Sequence, residues 1–440
     1  MLLANQGNIL GIKLGDNFIG FHASTLDVAE ISPEAFLSLN GGSSDTAAAQ
    51  ELREWNLEST SSSASLAAKK PSVIRHLNIN VTQICNLHCA YCAAGGDGTY
   101  GEAIKKISVE RVLPQLARML QKLQPHDQFQ ITFMGGEPLL YPHAMKLIAD
   151  YVQEEAQQKE IQSTFHVITN GTLLNDECIE ILKTFNPSIS ISIDGPSEVN
   201  DKVRKPKSLR FGTQATIDGI FRLNQSKKFF RKITSISTFN HEHLDVFTTW
   251  NFLRQLPLDS FHFDFDYLSL NADDNAIYVK NMEKTFQAAY ELGGETELRK
   301  ITFADSLFHQ LDQKFITPNH CGIGKEFKIM DANGKNYLCH WFIGTEGAEI
   351  PPVTGMQAPL AEKLNLSQPL NEKIGCNTCW ARNICGGGCT FIHRNYLEKG
   401  QLDQNYCIRT RALIANVIGY YVKSRQGIEL EEGVLHEQTY

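Results

Sequence analysis

From residue 76 onwards, short apolar runs alternate with longer segments in which apolar residues recur every three or four positions. The runs are rich in Ile, Val and Phe, which is typical of parallel strands buried on both faces. Six strands are predicted, at 76–82, 128–133, 164–169, 188–193, 232–239 and 260–268. Helices are predicted between them, at 108–122, 142–157, 176–185, 214–224 and 244–256. This order predicts an α/β fold with an open or partial (β/α)6 barrel, because six strands are too few for a closed eight-stranded barrel.

Residues 1–58 have a different pattern, which predicts a small α+β unit. Three short strands are expected at 8–13, 18–23 and 27–31. Ser32-Pro33 is typical of a helix start, with serine as the cap and proline at the first helical position. A second helix is expected at 47–57. Residues 59–75 begin with a run of Ser, Thr and Ala that predicts a flexible linker.

The barrel domain is expected to span 76–316 and to close with two helices, at 273–292 and 295–313. After residue 317 the strand–helix alternation stops and cysteines dominate. Residues 317–425 are therefore predicted to form a cysteine-rich domain that ends with a helix at 409–423. Residues 426–440 are acidic and are expected to be a tail.

The composition is that of an ordinary globular protein, with 42% hydrophobic and 20% charged residues. A net charge of −8 in 440 residues argues against a general nucleic-acid binder, which would present a basic surface. No apolar run reaches the ~18–20 residues of a membrane span, and residues 1–10 lack the basic and apolar regions of a signal peptide. We therefore expect a soluble cytoplasmic protein with no membrane or nucleic-acid partner.

Cysteine is the residue type that points to chemistry. The chain has eleven cysteines, an odd number, and no export signal, which argues against a disulfide framework. Three of them form Cys85-x3-Cys89-x2-Cys92 directly after the first barrel strand. Three thiolates on one short loop can bind three corners of a four-iron cluster and leave the fourth iron open for a ligand. The alternative is half of a zinc site, although a zinc ribbon would need a paired Cys-x2-Cys elsewhere.

The whole run Cys85-Asn-Leu-His-Cys-Ala-Tyr-Cys92 resembles the signature of radical S-adenosylmethionine (radical SAM) enzymes. The resemblance implies a radical SAM barrel in which the open iron chelates the methionine part of SAM. It also implies that an electron from the cluster splits the sulfonium C–S bond. The resulting 5′-deoxyadenosyl radical would then take a hydrogen atom from the substrate.

Further motifs at the carboxyl ends of the predicted strands agree with this family, and α/β folds bind their ligands at this edge. The segments that resemble its SAM-amino motif, its TNG turn and its SxDGP…R element are 134–138, 169–172 and 192–204. By this resemblance Ser192 and Arg204 would hold the SAM carboxylate, and the Glu137 carboxylate could pair with an ammonium. The expected SAM contacts are Tyr91, Gly135, Gly136, Glu137, Asn170, Ser192, Asp194 and Arg204.

The C-terminal cysteines resemble the seven-cysteine SPASM domain, which carries two auxiliary clusters. A zinc ribbon could account for four of them but not for the other three at matching spacing. The resemblance assigns one cluster to Cys376, Cys379, Cys385 and Cys407, and the other to Cys321, Cys339 and Cys389. The expected cofactors are therefore SAM and three clusters of the [4Fe-4S] type.

The cluster assigned to Cys321, Cys339 and Cys389 lacks one thiol. Cys178 is the spare cysteine, but its apolar helical pattern predicts a buried structural thiol. The fourth position is therefore left to an open iron, His320, His340, water or a substrate group.

Three residues are candidate catalytic acids or bases. His340 follows Cys339, where sulfatase-maturing relatives carry a catalytic aspartate, and this departure argues against a sulfatase maturase. Imidazole titrates near neutrality and can accept a proton, although an exposed or packing histidine is the alternative. In the sixth strand, alternation places Asp264 and Asp266 on one face and the phenylalanines on the other. That polar face is expected either to line a substrate cavity or to face solvent.

SPASM relatives mostly modify peptides, so the resemblance favours a maturase of ribosomally made peptides that forms an intrapeptide C–C or C–heteroatom crosslink. The expected partners are a precursor peptide with a leader and a reducing protein such as flavodoxin or ferredoxin. Residues 1–58 resemble a leader-binding element that an extended peptide joins at a strand edge, although a structural cap is the alternative. The other readings are a radical SAM dehydrogenase or epimerase and a non-catalytic zinc or iron–sulfur scaffold.

Overall fold

The computed structural model describes residues 2–6, 8–39, 47–62, 73–92, 105–266, 270–323, 325–350, 358–397 and 400–426. Residues 63–72 of the predicted linker and residues 427–440 of the predicted tail lie outside this part of the chain. The chain divides into two compact units. The first unit combines residues 1–70, 271–321 and 368–440, and the second combines 71–270 and 322–367.

The described residues form fifteen strands. In chain order they are β1 (Leu2–Gln6), β2 (Ile9–Leu14), β3 (Asn17–His22), β4 (Val28–Glu30), β5 (His76–Thr82), β6 (Leu87–Cys89), β7 (Gln128–Gly135), β8 (Gln162–Thr169), β9 (Ser188–Ser192), β10 (Arg204–Pro206), β11 (Ile233–Phe239), β12 (Ser260–Phe265), β13 (Phe327–Met330), β14 (Asn336–Tyr337) and β15 (Glu349–Ile350).

The same part of the chain forms fourteen α-helices. They are α1 (Pro33–Leu39), α2 (Ala47–Ser62), α3 (Val109–Leu120), α4 (Pro142–Gln158), α5 (Asp176–Lys183), α6 (Ser197–Val203), α7 (Thr213–Gln225), α8 (Val246–Leu253), α9 (Ala272–Leu298), α10 (Thr302–Gln313), α11 (Pro359–Lys363), α12 (Arg382–Cys385), α13 (Thr390–Leu397) and α14 (Gln404–Gln426). None of these described helices is long and apolar enough to span a membrane.

The first unit begins with an antiparallel sheet in the order β1-β2-β3-β4. The three predicted strands are confirmed as β2, β3 and β4, and β1 is an additional strand whose sequence, LLANQ, lacks a clear alternation of apolar and polar residues. The predicted start of α1 is confirmed, because the Ser32 hydroxyl accepts a hydrogen bond from the Ala35 N–H at 3.1 Å. Helix α2 continues to Ser62, four residues into the predicted linker.

The long helices of the first unit are interrupted at a pair of glycines and again before Thr302. The predicted break after residue 292 is confirmed, since Gly293 and Gly294 leave the helical conformation inside α9. Gly294 has φ of 62°, a left-handed value that glycine adopts without a steric penalty. The predicted helix 295–313 is divided again before Thr302, where α10 begins. Helix α14 packs against α9 and α10 and begins five residues before the predicted start.

The second unit contains a nine-stranded sheet in the order β12-β11-β9-β8-β7-β5-β13-β14-β15. The six strands from β12 to β5 are the predicted ones, and every neighbouring pair among them is parallel. They follow each other in chain order, with helices in the connections, as the alternating pattern predicts. The predicted α/β class is therefore confirmed, and the carboxyl ends of these six strands meet at one edge.

The sheet extends beyond the six predicted strands, which corrects the expectation that regular structure stops near residue 317. Strand β13 lies parallel to the free side of β5, and β14 and β15 continue the sheet antiparallel. These strands have only two to four residues each, so no periodicity could reveal them. Their effect is to bring residues 322–350, which include Cys339 and His340, into the unit that carries the barrel strands.

The core of the second unit lies between the sheet and the helices that cover it. Phe133 of β7 is fully buried there, stacks on Phe165 of β8 at 6.3 Å and meets Phe185 edge-on at 5.9 Å. Because Phe133 and Phe165 lie on the strands whose ends carry the polar motifs, their contact helps to set the position of those ends relative to each other.

Replacement of Phe133 by alanine should lower the free energy of unfolding of this unit by about 3–5 kcal/mol, the usual cost of removing a buried ring. Phe221→Ala is the matched control, because that ring is 48% exposed, and its change should stay within about 0.5 kcal/mol. Denaturant titration followed by tryptophan fluorescence measures both. Equal effects of the two changes would show that the aromatic contact does not carry this packing.

Candidate active site

The loop that carries Cys85, Cys89 and Cys92 begins where β5 ends. Thr82 turns the chain there, because its hydroxyl donates to the Lys105 carbonyl at 2.6 Å and accepts from the Ile84 N–H at 3.2 Å. Strand β6 then pairs antiparallel with β10, so that Cys89 lies opposite Arg204. The three thiols are thereby held on one short loop at the carboxyl edge of the sheet.

The end of β7 packs directly on the backbone of this loop. The Gly136 N–H donates to the Thr82 carbonyl at 2.8 Å, and the Glu137 N–H donates to the Ile84 carbonyl at 2.9 Å. A Cβ atom on Gly135 would lie 2.3 Å from the Thr82 oxygen, and one on Gly136 would lie 2.0 Å from the Ile84 oxygen. Both positions therefore require glycine, and the close approach they permit is to the cysteine loop itself.

Glu137 joins the ends of β7 and β8. Its carboxylate, 1% exposed, accepts hydrogen bonds from the Thr169 hydroxyl at 2.7 Å, the Asn170 N–H at 2.8 Å and the Leu139 N–H at 3.0 Å. Burial raises the pKa of Glu137 to about 7, and the three hydrogen bonds limit that rise. The carboxylate is thus satisfied by the protein, and its predicted contact with SAM stays a prediction.

Asn170 connects the end of β8 to the cysteine loop. Its amide nitrogen donates to the Asn86 side-chain oxygen at 2.8 Å and lies 3.7 Å from the Cys85 sulfur. Asn86 in turn donates to the Thr172 hydroxyl at 2.8 Å. Sequence reasoning missed Asn86, although its place inside the cysteine run was the available signal.

Asp194 and Arg204 form a fully buried ion pair below the same loop. The Arg204 Nε and Nη2 atoms donate to the two Asp194 carboxylate oxygens at 2.8 and 2.9 Å. The Tyr91 hydroxyl donates to the same carboxylate at 2.5 Å, and the guanidinium lies over the Tyr91 ring at 5.3 Å. Burial alone would lower the pKa of Arg204, but the Asp194 charge outweighs it and leaves the pKa raised. The Arg204 guanidinium, which was expected to bind the SAM carboxylate, therefore makes its bidentate contact with Asp194. Ser192 is the last residue of β9, at the same edge of the sheet.

Burial also governs the thiols of the loop. It raises the pKa of Cys85 to about 12, with a smaller contribution from the Glu137 carboxylate. Burial raises the pKa of Cys89 to about 11, and the Arg204 charge limits that rise. Such thiols stay protonated near neutral pH unless a positive centre binds them, and a metal-bound thiol is deprotonated. Three half-buried thiols on one loop fit the three ligands of an iron–sulfur cluster.

Strand β12 confirms the predicted alternation of its side chains over its first residues. Phe261 and Phe263 are buried, with rings stacked at 6.5 Å, whereas Asp264 is only half-buried. The Asp264 carboxylate lies close enough to His340 for its charge to raise the pKa of that ring, but burial has the larger effect and lowers the pKa to about 4. The ring is therefore neutral near pH 7. The Asp266 N–H donates to the Phe239 carbonyl at 2.6 Å.

A second group of thiols lies in the first unit. One cavity is lined by Cys376, Cys379, Cys385 and Cys407 together with His393 and Tyr406. Burial, with smaller contributions from the other three thiols, raises the pKa of Cys385 to about 12. The predicted assignment of these four cysteines to one cluster is therefore consistent with their placement.

His393 provides an independent indication that this cavity suits a sulfur-rich group. The ring is 1% exposed, and its Nδ1 atom accepts a hydrogen bond from the Asp403 N–H at 3.0 Å. The hydrogen of the neutral ring is then on Nε2, which is buried and has no acceptor among the described residues. Cluster sulfurs accept such hydrogen bonds, so a bound cluster could satisfy this orphaned donor.

Among the described side chains, no three of His, Cys, Asp or Glu converge closely enough to hold a single metal ion. The four thiols nevertheless line one cavity, and the iron–sulfur cluster that the sequence predicts there stays a prediction.

The remaining cysteines have different surroundings. Cys321 and Cys389 belong to the first unit and Cys339 to the second, so their predicted cluster remains a proposal. The predicted structural role of Cys178 agrees with its place in α5, where it is buried in the core of the second unit.

The sequence profile of the Radical SAM superfamily matches residues 79–249. The chain carries a radical SAM domain. A serine-type anaerobic sulfatase-maturating enzyme of Klebsiella pneumoniae is 23% identical over 343 residues, which cover 73% of this chain and 82% of that enzyme. The antilisterial bacteriocin subtilosin biosynthesis protein AlbA of Bacillus subtilis is 32% identical over 145 residues, which cover 32% of this chain and 29% of AlbA.

Solved structures share the fold. Native anSMEcpe with bound AdoMet and Cp18Cys peptide superposes with a TM-score of 0.62 at 18% identity, covering 80% of this chain and 99% of that chain. The radical SAM fold expected from the cysteine run is thereby confirmed.

The Asp194–Arg204 pair should be essential for the stability of the second unit. Asp194→Asn leaves Arg204 buried without a counter-charge, so we expect the free energy of unfolding to fall by about 3–5 kcal/mol. Asp150→Asn is the control, because it breaks an exposed pair with Lys146 that should contribute less than about 1 kcal/mol. Denaturant unfolding of both variants checks the difference. A small loss for Asp194→Asn would mean that Arg204 finds another partner or reaches water.

Proposed function

We propose that this protein is a radical SAM peptide maturase that forms a crosslink within a precursor peptide. The observation that supports this most is the half-buried cysteine loop, which Asn170, Glu137 and the Asp194–Arg204 pair fix at the carboxyl edge of a radical SAM sheet. A [4Fe-4S] cluster with SAM supplies a 5′-deoxyadenosyl radical that abstracts hydrogen from the substrate.

The chain would hold its cofactors in three places. Cys85, Cys89 and Cys92 would bind the SAM-associated cluster, and Cys376, Cys379, Cys385 and Cys407 would bind an auxiliary cluster. The second auxiliary cluster would use Cys321, Cys339 and Cys389 and one further ligand. A flavodoxin or ferredoxin would supply the electron.

The peptide would lose two hydrogens in all. One would leave a carbon of one side chain as a hydrogen atom, which the 5′-deoxyadenosyl radical takes. The other would leave the residue that is joined to it as a proton and an electron when the new bond forms, and the electron would pass to an auxiliary cluster. Asp264 and His340 lie together in the second unit and are the residues we propose for accepting the proton. Asp266 stays a candidate from the sequence alone.

A peptide partner is supported by relatives of two kinds. AlbA is a bacteriocin biosynthesis protein, and the anSMEcpe structure contains a bound peptide. The N-terminal sheet of the first unit ends in β4, which pairs with β3 over only three residues. We propose that a leader peptide adds to this sheet by strand pairing.

A second candidate is dehydrogenation of a protein side chain, because the sulfatase-maturating relative covers most of this chain. Crosslinking and dehydrogenation to an aldehyde both remove two hydrogens from the peptide. Borohydride distinguishes them, because it adds two hydrogens to an aldehyde and leaves a carbon–carbon or thioether crosslink unchanged.

Co-expression with a precursor peptide encoded nearby tests the proposal. We expect a peptide that is lighter by two hydrogens, stable to borohydride, and linked between two residues in tandem mass spectrometry. An unchanged mass with deuterium uptake from solvent would indicate epimerisation instead.

Alanine at Cys85, Cys89 and Cys92 together should abolish both the mass change and the formation of 5′-deoxyadenosine. Cys178→Ala is the matched control, because that thiol lies in the core and should leave the product unchanged. Product formation by the triple variant would contradict the role given to the loop.

A further inference from the structure

One short segment beside the cysteine loop has a charge opposite to that of the whole protein. The chain carries a net charge of −8, yet residues 202–210 contain five cations and no carboxylate. We call residues 202–210 the basic segment. Its cations are Lys202, Arg204, Lys205, Lys207 and Arg210.

Arg204 is buried in its pair with Asp194, but the other four cations are exposed. Among the described residues, no carboxylate forms an ion pair with Lys202, Lys205 or Arg210. The nearest acid in sequence, Asp201, is engaged elsewhere, because it accepts hydrogen bonds from the Thr213 N–H at 2.9 Å and the Thr213 hydroxyl at 2.6 Å. Within the part of the chain that the structure describes, the charges of Lys202, Lys205 and Arg210 therefore face solvent without a paired carboxylate.

The basic segment lies against the outside of the cysteine loop. Its strand β10 pairs with β6, so that Lys205 lies opposite His88. The Lys207 ammonium donates to the Cys85 carbonyl at 3.0 Å, and the Lys207 N–H donates to the Asn86 carbonyl at 3.1 Å. A partner seated on this segment would be only a few residues of backbone away from Cys85 and Cys89.

The segment also exposes apolar surface among its charges. Leu209 is 97% exposed, and the Arg210 guanidinium lies 4.5 Å from the centre of the Phe211 ring. An exposed leucine beside an arginine stacked on an aromatic ring is the kind of contact that can anchor a protein interface, while the surrounding lysines steer the approach of a charged partner.

We propose that the basic segment is the docking surface for an acidic one-electron donor protein, carrying a flavin or an iron–sulfur cluster. The inference rests on the proposed function, because that reaction needs an electron delivered to the group held by Cys85, Cys89 and Cys92. Electron transfer slows steeply with distance, so a donor must seat close to these thiols. An acidic donor would be attracted to the basic segment and repelled by the rest of a net-negative protein.

An acidic substrate or leader peptide is the competing occupant. The two differ in what they require of the surface. A donor needs it only when electrons come from a protein, whereas a peptide needs it whatever the source of electrons.

The decisive variant reverses three exposed charges, Lys202→Glu, Lys205→Glu and Arg210→Glu. None of these side chains has been placed in the SAM or thiol contacts. Lys207 is left intact because it contacts the Cys85 carbonyl. The control, Lys122→Glu with Lys228→Glu and Arg231→Glu, makes the same change of charge at exposed positions. Those residues precede β7 and β11, at the opposite edge of the sheet.

Binding is measured first, by calorimetry at low salt, between a bacterial flavodoxin and the full chain reconstituted anaerobically with iron and sulfide. We expect affinity to fall about 10-fold or more in the decisive variant and to change little in the control. Wild-type binding should also weaken as salt is raised, since salt screens exposed charges. Equal binding by the decisive variant and the control overturns the proposal.

Activity is then followed as 5′-deoxyadenosine formed with reduced flavodoxin or with titanium(III) citrate. We expect the decisive variant to lose about 10-fold or more in kcat/KM for flavodoxin and to keep wild-type activity with titanium(III) citrate. A higher KM of the decisive variant for the peptide, seen with both reductants, would assign the surface to the peptide and overturn the proposal. Absence of 5′-deoxyadenosine from wild-type protein with titanium(III) citrate would contradict the proposed function, while the binding result would still decide the docking surface.

Discussion

The second unit depends on one buried carboxylate, that of Asp194. The carboxylate accepts hydrogen bonds from Arg204, from the Tyr91 hydroxyl and from the Thr238 N–H. The backbone carbonyl of the same residue accepts a hydrogen bond from the Thr249 hydroxyl and lies 2.9 Å from the His243 ring nitrogen. These partners come from the cysteine loop, β10, β11 and the start of α8. A buried charge is tolerated only when its hydrogen-bonding capacity is filled, so the carboxylate enforces the arrangement of all these elements.

Glu137 applies the same constraint at the ends of β7 and β8, and the two carboxylates together fix the backbone around the cysteine loop. Glu137 fixes the ends of β7 and β8, and the backbone bonds of Gly136 and Glu137 fix the loop to β7. A site held on three strand ends keeps its thiols in place before a cofactor arrives, which lowers the entropy lost on binding.

The sequence predicted the elements that depend on residues close together in the chain. It did not predict those that depend on contacts between distant residues. Periodicity identified the six parallel strands, and the cysteine spacing identified the loop, because each depends on residues close in the chain. The strands β13 to β15 have two to four residues and exist only because β5 offers them a free edge. The occupation of the Arg204 fork by Asp194, the meeting of Asp264 with His340 and the orphaned nitrogen of His393 all depend on burial and long-range packing. No spacing in the sequence could show them.

The raised pKa values of the thiols in both units affect how an iron–sulfur cluster would be inserted. Burial raises the pKa values of Cys85, Cys89 and Cys385, because a poorly hydrated site disfavours the charged thiolate. Each thiol must lose its proton when it binds iron, so cluster insertion releases protons and becomes more favourable as pH rises.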